Sequence, residues 1–69
     1  MRKIYMARLF RTKDEATRFI KDSGCGVLSQ NTKWSRTKRD WMDALAVVGM
    51  SLDDAVEYPY AVQWNEFHE

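Results

Sequence analysis

Residues 3–10 (Lys-Ile-Tyr-Met-Ala-Arg-Leu-Phe) constrain this chain more than any other stretch. Read with the two-residue period of a strand, Ile4, Met6 and Phe10 fall on one face, and Tyr5, Ala7 and Leu9 on the other. Apolar residues on both faces mark an interior strand rather than a solvated edge. Arg8 alone interrupts the first face, and nothing in the sequence gives it a structural reason.

The elements that must pack on this strand follow in order. Thr12 with Glu15 is a capping-box pattern, and Asp14 and Glu15 lie at the positive end of the helix dipole. Ala16, Phe19 and Ile20 recur at i, i+3 and i+4 as a buried stripe, and Gly24 is a left-handed stop. Residues 26–31 predict a short strand with a polar end, suited to a sheet edge. A second helix starts with Ser35 or Thr37 as cap, runs to about residue 48 and stops at Gly49. Its stripe is Trp41, Ala44, Leu45 and Val48, broadened by Met42 and Val47. Ser51 caps a short helix that Pro59 closes. Residues 60–67 form the last strand, with Tyr60, Val62 and Trp64 on one face.

At 69 residues there is room for one domain and one core. We therefore expect a small two-layer α+β domain in the order strand, helix, strand, helix, short helix, strand. Its three-stranded sheet would carry two main helices on one face. The third strand would pair with the first and leave the first in the middle. Two helices on one side would leave the other face bare, exposing aromatic residues of the first and last strands. A bare face of that kind marks a contact site, unless the short helix or the 31–35 loop folds over it.

Charge changes sign within residues 32–41. Up to Arg39 the chain holds all 11 Lys and Arg against three acids, a net of +8; from Asp40 it holds seven acids and no cation, a net of −7. The halves could interleave in the fold, segregate into a dipole that drives self-association, or steer a charged partner. The segment Lys33, Trp34, Arg36, Lys38 and Arg39 combines cations for phosphates with an indole able to stack on an unpaired base. The alternative is a solvated helix start paired with the chain's own acids. A helix-turn-helix over residues 44–58 is rejected, because its reading helix would offer Asp53, Asp54 and Glu57 to the phosphates.

No catalytic group emerges. Cys25 has no neighbouring His, His68 is distant in sequence, and no ligand spacing for a metal or glycine loop for phosphate is present. We expect no cofactor and no enzyme. One cysteine, no signal peptide and no spanning segment lead us to expect a soluble, cytoplasmic protein away from membranes. The reading that remains is a module binding a protein partner, a small regulator or inhibitor acting by occlusion. Its contact residues would be Lys33, Trp34, Arg36, Lys38 and Arg39, with Tyr5, Tyr60 and Trp64 if the sheet face is open. A nucleic-acid binder using the 33–39 segment is the second reading, and a homodimer across the bare face the third.

Overall fold

The computed structural model describes residues 2–32 and 36–68. The elements are β1 (Arg2–Phe10), α1 (Lys13–Ser23), β2 (Val27–Gln30), α2 (Arg36–Val48), α3 (Leu52–Ala55) and β3 (Tyr60–His68). The α+β class, the three-stranded sheet and the element order are those expected.

The sheet order is not. It runs β1-β3-β2, so the last strand is central and β1 lies at an edge. Both β1 and β2 pair antiparallel with β3, from Arg2↔His68 to Phe10↔Tyr60 and from Val27↔Gln63 to Gln30↔Tyr60. They are therefore parallel to each other, one strand apart.

The helices also lie differently from expectation, one on each face of the sheet. Strand alternation separates the two sets of contacts. Phe10, Tyr60, Val62, Trp64 and Leu28 form one cluster with Ala16, Phe19 and Ile20 of α1. Ala7, Leu9 and Ala61 form the other with Trp41, Ala44 and Leu45 of α2 and Ala55 of α3. The domain thus has three layers, helix, sheet and helix. The doubly apolar pattern of β1 is satisfied by cover on both sides rather than by a central place in the sheet.

Local chemistry fixes each element. Thr12 accepts the Glu15 N–H at 3.2 Å through its hydroxyl oxygen, and the hydroxyl itself lies 3.2 Å from the Glu15 carboxylate. Gly24, at φ +78°, closes α1 by donating its N–H to the Ile20 C=O at 2.8 Å. Trp41 is wholly buried, and its indole N–H donates to the Tyr58 C=O at 2.8 Å, tying α2 to the turn before β3. Thr37, a candidate cap, lies inside α2 and accepts the Gln30 N–H at 2.9 Å. Arg8 acquires its reason here. Its guanidinium lies 5.7 Å from the Phe10 ring centroid and 5.5 Å from that of Phe19, roofing the aromatic cluster under α1.

Candidate functional site

The residues singled out from sequence do not form one surface. Lys33 and Trp34 lie outside the described residues. Arg36 and Arg39 are exposed at the start of α2, and Lys38 beside them is half-buried. Tyr60 and Trp64 belong to the α1 face, where Trp64 meets Phe19 at 5.2 Å between ring centroids. The Trp64 indole N–H donates to Glu66 Oε2 at 2.9 Å, and the other Glu66 oxygen lies 3.1 Å from His68 Nε2. The bond from Trp64, followed by that from His68, holds the Glu66 carboxyl below its ordinary value. Tyr5 lies on the opposite face, with the Lys3 ammonium 5.2 Å from its ring centroid. An aromatic cluster of Tyr5, Tyr60 and Trp64 is therefore excluded by strand parity.

What the structure brings together instead is a groove on the α2 side of the sheet. Tyr5, Val27 and Phe67 are 64%, 62% and 63% exposed, and all three line an open cavity of about 660 Å³. Tyr5 and Phe67 are diagonal neighbours on one face, because Tyr5 pairs with Asn65 and Lys3 with Phe67. From α2, Asp40, Asp43 and Val47 form the facing wall. Their i, i+3, i+7 spacing puts them on one side of the helix, next to the buried stripe of Trp41, Ala44 and Leu45. Among the described residues that line the groove, Asp40 and Asp43 are the charged ones.

The groove exists because the strands differ in length. β1 and β3 run together for nine residues, whereas β2 is four residues long and ends at Val27. Gly26 enforces that end. It has φ +135°, and a Cβ there would meet Val62 Cγ1 at 2.7 Å and Ile20 Cγ1 at 3.3 Å. The backbone turns off the sheet over Val62, leaving the far half of β3 without a neighbour on that side.

Sequence reasoning missed Val27, Val47, Phe67, Asp40 and Asp43. The face of each residue within its own strand and the unequal lengths of the predicted strands were visible. Pairing them required knowing that β3 is central. Cys25 is exposed and lines the same groove, with no His among its lining residues. Among the described residues, no group of three or more His, Cys, Asp or Glu is placed to hold a metal ion, and no helix is long and apolar enough to cross a membrane.

Compared with known proteins, the chain matches no family model, and no curated protein or solved structure resembles it significantly.

Proposed function

We propose that this chain is a non-enzymatic module that binds a protein partner and acts by occluding it, with the groove between α2 and the β1–β3 ribbon as its contact surface. One observation carries the reading: three large apolar side chains, Tyr5, Val27 and Phe67, are each mostly exposed and meet at a single groove. Scattered exposed apolar residues need no explanation, but a contiguous group is characteristic of contact surfaces. Tyr and Phe are also enriched there. The wall of Asp40 and Asp43 supplies the polar rim that orients a partner. Arg36 and Arg39 do not line this groove, and they offer an independent surface to a polyanion.

The test is affinity capture from host lysate with the wild type and with Tyr5→Ser plus Phe67→Ser, checked for native fold by circular dichroism. We expect a discrete protein that survives nuclease and high salt and is lost with the double variant. Material that vanishes with nuclease, falls steeply with salt and is lost in Arg36→Ala plus Arg39→Ala would overturn the reading in favour of nucleic acid.

A further inference from the structure

We propose that the open side of β3 accepts an extended peptide of alternating apolar and basic residues as an added strand, in line with β2. The proposal rests on the binding-module reading and names the chemistry and pose of the occupant.

The backbone geometry supplies the socket. In an antiparallel ladder, every second residue of a strand turns both its N–H and its C=O to the same neighbour. The Asn31 N–H donates to the Pro59 C=O at 2.8 Å, so Pro59 faces β2, and Ala61 and Gln63 face it by alternation. Gln30, partner of Tyr60, accordingly turns its N–H away from β3 and donates it to Thr37. Continued along β3, the alternation turns the backbone groups of Asn65 and Phe67 to the same side, beyond Val27, the first residue of β2. The positive φ of Gly26 prevents β2 from being extended to fill that position.

The charge of the socket selects the occupant. A strand laid there turns alternate side chains to opposite faces: those on the α2 face stand under Asp40 and Asp43 and favour cations, and those on the α1 face run beside Trp64 and favour apolar groups. The other free edge of the sheet, on β1, is longer but carries Arg2, Lys3 and Arg8. Such an edge is blunted by charge and repels a basic strand. The two edges of one sheet therefore differ in sign, and only the β3 side suits a cationic segment. Strand addition of this kind draws affinity from main-chain hydrogen bonds and specificity from the alternate side chains.

The experiment is an amide-resolved NMR titration of the full chain with synthetic heptapeptides: alternating Lys-Val, alternating Glu-Val, and a basic amphipathic helix of equal charge. The expected result is saturable shifts and slowed amide exchange at Asn65 and Phe67 with Lys-Val. Glu-Val should bind about tenfold more weakly, as should Lys-Val to Asp40→Asn plus Asp43→Asn. The proposal is overturned by shifts at Lys3, Tyr5, Ala7 and Leu9 instead, or by no response to Lys-Val. It is also overturned by an equal response to the helix without slowed exchange, or by concentration-dependent shifts of the same amides without peptide, which would assign the socket to a second copy. A partner lost from the Tyr5 and Phe67 variant alongside a failed titration would remove the added strand and keep the module. Capture indifferent to that variant would remove the module itself.

Discussion

Arg8 shows how a single residue can defy the pattern of its own strand and still be accounted for by the fold. On β1 it is a cation among apolar positions; in space it covers Phe10 and Phe19. Those rings come together only when α1 packs on the sheet, so the reason lies on another element and is invisible in the local pattern. Trp41 is the opposite case. Its place on the α2 stripe and its burial follow from periodicity, and only the acceptor of its indole N–H, the Tyr58 carbonyl, had to be seen. Cation–π contacts at exposed positions contribute about 0.5–1 kcal/mol. Arg8→Ala should therefore lower unfolding free energy by up to about 1 kcal/mol, read as a lower urea midpoint at unchanged slope. Arg8→Lys should recover part of it, and an unchanged midpoint for both would remove the ring contacts from the stability of the fold.

Elements were more legible than their arrangement. The caps at Thr12 and Ser51, the stops at Gly24 and Gly49 and the apolar stripes were all readable, because each is set by a few adjacent residues. Which face each helix covers is not local information. Periodicity showed that β1 has two apolar faces but not that α1 claims Phe10 while α2 claims Ala7 and Leu9. Seen from the finished fold, the clue was that a doubly apolar strand asks for cover on both sides. Independent layers make an energetic prediction. Phe19→Leu under α1 and Leu45→Val under α2 should each cost about 1 kcal/mol. Their double variant should cost the sum to within about 0.5 kcal/mol, because the sites share no partner across the sheet. A larger coupling in denaturant titrations would mean that the layers communicate through β3.

For the whole molecule, the radius of gyration is 11.9 Å and the extents are 37 × 23 × 20 Å. A sphere-like domain of this length has a radius of about 11 Å; the excess reflects the β1–β3 ribbon, which outruns β2. The two charge halves touch where Arg11 meets Glu57 at 3.6 Å, an exposed pair of small energetic weight. They are otherwise expressed as the basic edge of β1 and the acidic wall of α2, a division the sequence announced without saying where the poles would lie. Both flanking strands pair only with β3, so a chain ended after Pro59 should lack a sheet altogether and give the circular dichroism of an unfolded polypeptide. A native-like spectrum from that truncation would show that the helices hold together without the centre. The central position of β3 also sets a schedule for the cell. During synthesis β1, α1, β2 and α2 leave the ribosome before the strand that joins them exists. The nascent chain must keep two strand edges and two apolar helix faces unpaired until residues 60–68 emerge, making that interval of translation the time when chaperones matter most to it.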